Sequence, residues 1–341
     1  LAVNSNAVRQ ASSIVGRAKS ELLDQKDGAE FVVITTAELA NTAKRLADYR
    51  QNNGLEAMVV DIEDIFDDFA FGSRDPNAVT AFIDFAIDQW ATPPKYVLVA
   101  GRGHYDYRDL GGFGGNLIPP LLAATQHGLV PSDNKIADVD RDGKPDVAIG
   151  RLPVLTVEEL DAVIDKIISY EAAPAGDWAR KVTLAADNPD HAGNFFRSSN
   201  NMAKELPQDR QVEKVYLAPP YTSADTVNLW LTRALGDGVG LVNWIGHAGF
   251  GSLATEGVLD VSDVAGLDLT NHPAMVLGLT CLINNHGFAA FSSLGEELVL
   301  LPGPCVYQFK QALFDNQNPD SIVNVLYDKN TSITRKKYKL K

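Results

Sequence analysis

Short runs of apolar, often β-branched residues alternate along this chain with longer segments whose apolar positions recur every three or four residues. The run Phe31-Val-Val-Ile-Thr-Thr36 predicts a buried strand, and residues 37–52 predict a helix stopped by Asn53-Gly54. Residues 56–61 read as a second strand. Residues 76–90 read as a helix with Asp75 as cap and Pro76 at its first position. Tyr96-Val-Leu-Val-Ala100 predicts a third strand, running into a glycine-rich loop that lasts to Pro120. A short fourth strand follows at 147–150. After it comes an amphipathic helix over 156–170, with Thr156 capping and Glu158 and Glu159 in its first turn. The pattern then restarts, with strands over 181–186, 212–217, 239–245 and 274–280 and helices over 191–206, 223–235 and 291–301.

Alternation of this kind implies parallel sheets with helices on both faces. The predicted fold class is α/β, built as two tandem doubly wound, mostly parallel subdomains separated by Ala172-Ala-Pro-Ala-Gly-Asp177. The division is residues 1–28 as an extension or linker, 29–177 as the first subdomain, 178–305 as the second, and 306–341 as a tail. In open parallel sheets ligands bind outside the carboxyl ends of the strands. Candidate chemistry is therefore expected at 101–109, 246–251 and 281–288.

Composition narrows the function classes. The 341 residues are 45% hydrophobic and 22% charged, as in ordinary globular chains, and no apolar run is long enough to span a membrane. A formal charge of −14 argues against nucleic acid or an anionic membrane surface as a partner. Two cysteines, Cys281 and Cys305, exclude a disulfide-stapled mini-fold. No signal-peptide pattern opens the chain at Leu1, so composition assigns no compartment. Residues 306–341 carry seven Lys or Arg against three Asp, a net +4 that leaves −18 on the preceding 305 residues. Their Asn-, Lys-, Tyr- and Ile-rich texture marks them as an atypical basic tail.

The strongest constellation is a pair of strand ends. Val239-Gly-Leu-Val-Asn-Trp-Ile-Gly-His-Ala-Gly249 is an apolar strand ending in a glycine-flanked histidine; Ala274-Met-Val-Leu-Gly-Leu-Thr-Cys281 is one ending in a cysteine. The two strands are consecutive in the pattern, so His247 and Cys281 are expected side by side. A thiol is only a few per cent thiolate at neutral pH, and an adjacent imidazole raises that fraction. The small residues after His247 let backbone N–H groups approach a substrate carbonyl. Ala248, Gly249 and Cys281 are thus candidate oxyanion donors, worth about 3 kcal/mol each. Each residue alone has a plainer reading, Cys281 as a buried inert thiol and His247 as a loop cap.

These segments resemble the gingipain branch of the caspase–legumain–gingipain superfamily of cysteine peptidases. The resemblance is carried by Leu241-Val-Asn-Trp-Ile-Gly-His-Ala-Gly249, Thr280-Cys-Leu-Ile-Asn284 and Ser293-Leu-Gly-Glu-Glu-Leu298. It is carried too by Pro94-Lys-Tyr-Val-Leu-Val99, Tyr105-Asp-Tyr-Arg108, Asn116-Leu-Ile-Pro-Pro120 and Val147-Ala-Ile-Gly-Arg-Leu-Pro153, so that it covers about residues 31–302. It implies two caspase-like subdomains, a protein or peptide substrate, and a secreted or cell-surface bacterial endopeptidase. It also implies an acidic residue that orients the histidine, placed at Asp187. In arginine-specific members an acidic residue lines the specificity pocket early in the next helix. Here Asn194 or Phe195 stands in that region, so no arginine preference is implied. Ala248 stands where the family usually has Gly, which would be strained if φ there were positive.

A second constellation is Asp138-Val-Asp-Arg-Asp-Gly-Lys-Pro-Asp146. Asp138, Asp140, Asp142 and Asp146, with a glycine at the sixth position, suit a structural Ca²⁺, although Ile149 replaces the closing Glu of an EF-hand. The alternative is an ordinary Asp-rich turn. Gly101-Arg-Gly-His-Tyr-Asp-Tyr-Arg108 lacks dinucleotide spacing and reads as a structural loop, and no organic cofactor is expected. The histidines lack zinc-ligand spacing, and no serine-nucleophile elbow occurs. Two readings compete with a peptidase: a catalytically inactive relative serving as a calcium-dependent adhesion or secretion-accessory module, and a plain α/β binding domain.

Overall fold

The computed structural model describes residues 16–125, 128–172, 174, 176–267 and 274–301. Cys305 and the basic tail lie outside them. The first half holds β1 (Phe31–Thr35), α1 (Ala40–Asn52), β2 (Ala57–Asp61), α2 (Ile62–Ala70), α3 (Asn77–Gln89) and β3 (Tyr96–Ala100). It continues with β4 (Leu122–Thr125), β5 (Gly128–Pro131), α4 (Asp133–Ile136), β6 (Ala148–Leu152) and α5 (Val157–Ala172). The second half holds β7 (Lys181–Ala186), α6 (Phe195–Glu205), β8 (Gln211–Tyr216), α7 (Ala224–Asp237) and β9 (Leu241–Ile245). It ends with β10 (Ser252–Leu253), β11 (Leu259–Asp260), α8 (Val261–Ala265), β12 (Met275–Leu279) and α9 (Leu294–Leu300).

Two four-stranded parallel sheets form the frame, ordered β2-β1-β3-β6 and β8-β7-β9-β12. The α/β expectation of two doubly wound, parallel subdomains holds. Strand alternation explains the layers. Val32 and Ile34 of β1 pack with Ile65, Phe66, Phe82 and Ile83 of α2 and α3, while Phe31 and Val33 pack with Leu46, Leu160 and Ile164 of α1 and α5. In the second half Val242 and Trp244 face Val227, Leu231 and Leu298, and Leu241 and Ile245 face Phe195 and Met202 of α6.

The periodic elements stand within a few residues of their predicted limits. The helix expected over 76–90 runs Asn77–Gln89, and Asp75 Oδ1 accepts from the Asn77 N–H at 2.9 Å. Thr156 Oγ1 accepts from Glu159 N, the cap expected of it. The helix predicted over 291–301 begins only at Leu294, because Ser293 and Glu296 close a capping box there. Unpredicted elements are short or irregular: α2 directly after β2, the β4–β5 hairpin, α4, the β10–β11 ribbon and α8.

Helix α9 joins the halves. Val299 and Leu300 pack into the core around α5, and buried Lys166 of α5 donates to the carbonyls of Val299 and Leu301. At its other end Arg102, just after β3, pairs with Glu296 at 3.1 Å.

Candidate active site

The register of β9 and β12 brings the two candidate residues together. Ile245 pairs with Leu279 in the parallel ladder, and two residues past each stand His247 and Cys281. Neighbouring strands lie about 4.8 Å apart, so the two side chains leave adjacent chain positions at one carboxyl edge. Cys281 is exposed. Behind it Thr280 is buried, and ahead of it Leu282 takes a left-handed φ of 52°, making a sharp turn in which Ile283 N–H donates to Cys281 O at 2.6 Å.

His247 is held at every position except one ring nitrogen. Its backbone N–H donates to Asp187 Oδ2 at 3.0 Å, and its carbonyl accepts from Trp244 Nε1 at 3.1 Å and Ala254 N at 2.9 Å. The Phe195 ring stands edge-on to the imidazole, centroids 5.3 Å apart. The preceding glycine is required by close approach: a Cβ on Gly246 would lie 2.2 Å from Asp187 Cβ. Ring Nε2 meets Asp190 Oδ2 at 2.8 Å. The hydrogen bond from His247, then that from Ala192 N–H, holds the Asp190 carboxyl below its usual range, so it stays ionised. An ionised carboxylate only accepts, which places the hydrogen on Nε2 and leaves Nδ1 as the basic atom.

Several expected roles shift. Asp187 was expected to orient the imidazole, but it is buried and its two oxygens take the backbone N–H groups of His247 and Asn188. It positions the histidine's main chain, and the ring partner is Asp190, three residues later. Burial pushes the Asp187 carboxyl up, against those two hydrogen bonds. Gly249 N–H is committed to Ser252 O at 2.9 Å, which removes it from the oxyanion set. Ala248 and Cys281 N–H have no backbone acceptor among the described residues, and Ala248 does not take positive φ. Asn194 uses Oδ1 to cap α6, accepting from Arg197 N, and Phe195 is buried against His247 rather than open to a substrate. The signal for Asp190 was present in Asn188-Pro-Asp190, a second carboxylate on the loop that leaves β7.

In the Asp-rich loop, one carboxylate oxygen from each of Asp138, Asp140 and Asp146 lies within 4.8 Å of the others. Asp138 Oδ1 is buried with no hydrogen-bond partner, as a metal ligand would be. Asp142 departs from the expected set, because its carboxylate turns to the Lys144 N–H at 2.8 Å and Lys144 Nζ at 3.4 Å. The remaining three oxygens fit a hard divalent cation. His104 is buried in the glycine-rich loop, Nε2 on Gly114 O and Nδ1 accepting from Asp106 N.

Comparison with known proteins places the chain in a family and a fold. The model of peptidase family C25 matches residues 24–329, and the chain belongs to that family, the gingipain family. Among solved structures it is similar to the Arg-specific cysteine proteinase gingipain R (RGPB), at 20% identity and TM-score 0.64, over 83% of this chain and 60% of that one. It is also similar to the complex of Porphyromonas gingivalis RgpB pro- and mature domains, at 19% identity and TM-score 0.66, over 82% of this chain and 63% of that one. The chain thus spans about three fifths of the gingipain structures it matches. At this identity the likeness supports the caspase-like fold. No curated protein matches. Among the described residues no helix is long and apolar enough to cross a membrane.

Proposed function

We propose that this chain is a cysteine endopeptidase. Cys281 Sγ attacks the scissile carbonyl carbon while its proton passes to His247 Nδ1. The C–N bond of the tetrahedral adduct then breaks as the imidazolium protonates the leaving nitrogen. A thioester remains. Water adds to it with His247 as base, releasing the carboxylate product and the thiol. The Ala248 and Cys281 N–H groups are the oxyanion donors of this scheme. Asp190 stabilises the imidazolium, Asp187 fixes the histidine's backbone, and Phe195 backs its ring. The observation that carries the reading is the equal register of His247 and Cys281 beyond paired strand ends, with the imidazole already matched to an ionised carboxylate.

The space beside α6, about 480 Å³, is lined by Asn194, Arg197, Asn200 and Lys204 among others, with no carboxylate to receive a guanidinium. The reading therefore includes no arginine preference. A second, more enclosed groove near Lys181, Gln211 and Trp230 lies at the amino ends of β7 and β8, away from the dyad. Asp138, Asp140 and Asp146 would hold a structural Ca²⁺ in this scheme, stiffening the entry to β6. The secreted or cell-surface bacterial setting belongs to the same proposal.

The test is a fluorogenic peptide-library scan with and without Ca²⁺, run beside thiol-probe labelling. Turnover and labelling should both vanish in Cys281→Ala. Labelling that persists there, or that sits on Cys305, rejects the mechanism. Wild-type protein that labels nowhere and cleaves nothing, yet is stabilised by Ca²⁺, would favour the inactive adhesion or accessory reading.

A further inference from the structure

We propose that Arg102, contributed by the first half, is a positioning residue for Cys281. It acts through a buried ion pair with Glu296 that holds the first turn of α9 against the turn carrying the nucleophile. The inference rests on the reading of Cys281 as nucleophile.

The turn after Cys281 is closed by its own hydrogen bonds, Ile283 N–H to Cys281 O and Asn285 N–H to Leu282 O, and is braced from outside as well. Leu282 occupies the left-handed region, and a branched residue stays there only where its surroundings over-determine it. The clamp comes from α9: the Gly295 N–H donates to Ile283 O at 2.7 Å. The approach is so close that a Cβ on residue 295 would lie 2.8 Å from that oxygen and 3.0 Å from Asn284 Oδ1. The first turn of α9 is in turn set by Glu296, whose Oε2 accepts from Ser293 N–H at 2.7 Å and Ser293 Oγ at 2.8 Å.

The other oxygen of Glu296 has one cationic neighbour. Oε1 stands 3.1 Å from Arg102 Nε, with Glu296 fully buried and the arginine side chain 13% exposed. Arg102 Nη2 also donates to Phe291 O at 2.8 Å and reaches Phe288 O at 3.4 Å, both on the segment between Cys281 and α9. Its own backbone is immobilised: its N–H donates to Val154 O, and its carbonyl accepts from Leu117 and Ile118 N–H. One unbroken series of contacts thus runs from the end of β3 through Arg102, Glu296, Gly295 and Ile283 to the nucleophile's turn. A guanidinium suits this place because it meets a carboxylate and two carbonyls at once, which an ammonium cannot do from one position.

A strut that only stabilised the fold would lower the melting temperature and leave the folded protein's thiol unchanged. A positioning residue changes the reactivity of Cys281 in molecules that remain folded. The experiment compares the full chain with Arg102→Met, Arg102→Lys and Glu296→Gln. It measures the second-order rate of Cys281 alkylation by iodoacetamide against pH, together with kcat and KM, well below each melting temperature. Cys281→Ala supplies the blank for Cys305. Arg102→Met should slow alkylation about tenfold or more and lower kcat in step, with KM within about twofold, since small misplacements at a reacting atom carry such factors. Arg102→Lys should recover part of the rate, and Glu296→Gln should resemble Arg102→Met.

The inference is overturned if folded Arg102→Met alkylates within about twofold of wild type, or if activity falls only as the folded fraction does. Should Arg102→Met not fold, wild-type alkylation in both Arg102→Lys and Glu296→Gln overturns it instead. Wild-type protein unreactive at Cys281 removes the nucleophile reading and this inference with it. Wild-type reactivity shared by every variant removes this inference alone.

Discussion

In each half of the molecule the first strand lies between the second and the third, and the fourth flanks the third; yet the two carboxyl edges hold different chemistry. The third strand of the first half runs into Gly101-Arg102-Gly103-His104, and that of the second into Gly246-His247-Ala248-Gly249. His104 is buried, with one ring nitrogen on Gly114 O and the other taking the Asp106 N–H. His247 is half exposed, with one nitrogen on Asp190 and no partner for the other among the described residues. After the fourth strand the first half has Pro153, which offers no N–H, whereas the second has Thr280-Cys281. Beside the third strand, Thr35 Oγ1 bonds to Ala100 O at 2.7 Å in one half, and Asp187 takes the histidine N–H in the other. The same topology thus carries a histidine with both ring nitrogens partnered at one edge, and at the other a histidine with one ring nitrogen unpartnered among the described residues.

The sharpest way to break this comparison is to remove each histidine in turn. His247→Ala should lower kcat by about 10²–10⁴-fold, the range of general acid–base catalysis, with little change in melting temperature. His104→Ala should do the reverse, leaving kcat within a few fold while costing about 1–3 kcal/mol of stability through unsatisfied partners. Steady-state kinetics and thermal melts on both variants decide it; a catalytic collapse in His104→Ala would erase the distinction. Asp190→Asn comes next in size. It replaces an acceptor-only partner by an amide that can present a donor to Nε2, so kcat should fall by roughly tenfold, discounted for the exposure of the pair. A variant at wild-type kcat would demote Asp190 to a loop residue.

Much of this contrast was legible before any coordinates. Strand ends at Ile245 and Thr280 followed from largely apolar runs, and consecutive strands of a parallel pattern tend to be neighbours. The dyad could therefore be placed by position rather than by residue type. What escaped depended on irregular backbone. Asp190 reaches the imidazole because the loop after β7 folds back through the Asp190–Gly193 bridge, which no periodicity encodes. Arg102 and Glu296 are distant in sequence and meet only when the halves pack. The Gly249 N–H looked available because nothing in the sequence announces its bond to Ser252, made by the small β10–β11 ribbon folding back. The Asp-rich loop was visible as composition, but the rotation of Asp142 toward Lys144 was not.

The junction between the halves allows a comparison by pH. His286, from the loop after β12, is buried opposite the first half's Asp133, with Nε2 3.8 Å from Oδ2. A carboxylate at that distance favours a charged imidazole, but Asp133 is already gripped by Arg151 through Nε at 3.0 Å and Nη2 at 2.8 Å. Burial therefore prevails, and the His286 pKa falls to about 4 from an ordinary 6.5. The unfolded chain takes up this proton as pH drops below about 6.5, and the folded chain only near 4. The stability contributed by neutral His286 is thus complete above pH 6.5 and lost on the way down to about 4, a change of about 3 kcal/mol. Asp187 and Glu296, whose carboxyls burial raises, act in the opposite sense at the lower end of the window. Denaturant melts should show a steeper loss from pH 7 to 4.5 in wild type than in His286→Gln. Parallel curves would mean that this contact does not report on the junction.

The smallest expected effect concerns the approach to the fourth strand of the first half, where Asp138, Asp140 and Asp146 converge just before β6. Without a cation these carboxylates repel one another, and the buried Asp138 Oδ1 lacks a donor. A bound Ca²⁺ removes both penalties, and at tenfold excess over its Kd it would stabilise the fold by about 1.4 kcal/mol. Asp138→Asn should abolish that increment and also raise the calcium-free melting temperature, because one repelling charge is gone. Asp142→Asn should keep the increment, since its carboxylate faces Lys144 and not the cluster. Melts with millimolar Ca²⁺, Mg²⁺ or chelator separate the two variants. An equal loss in both would return Asp142 to the ligand set, and a wild type indifferent to Ca²⁺ would leave only an Asp-rich turn. Because β6 also carries Arg151, which holds Asp133 against His286, the calcium increment should shrink in Arg151→Met if the loop is coupled to the junction, and persist if it stiffens only its own strand.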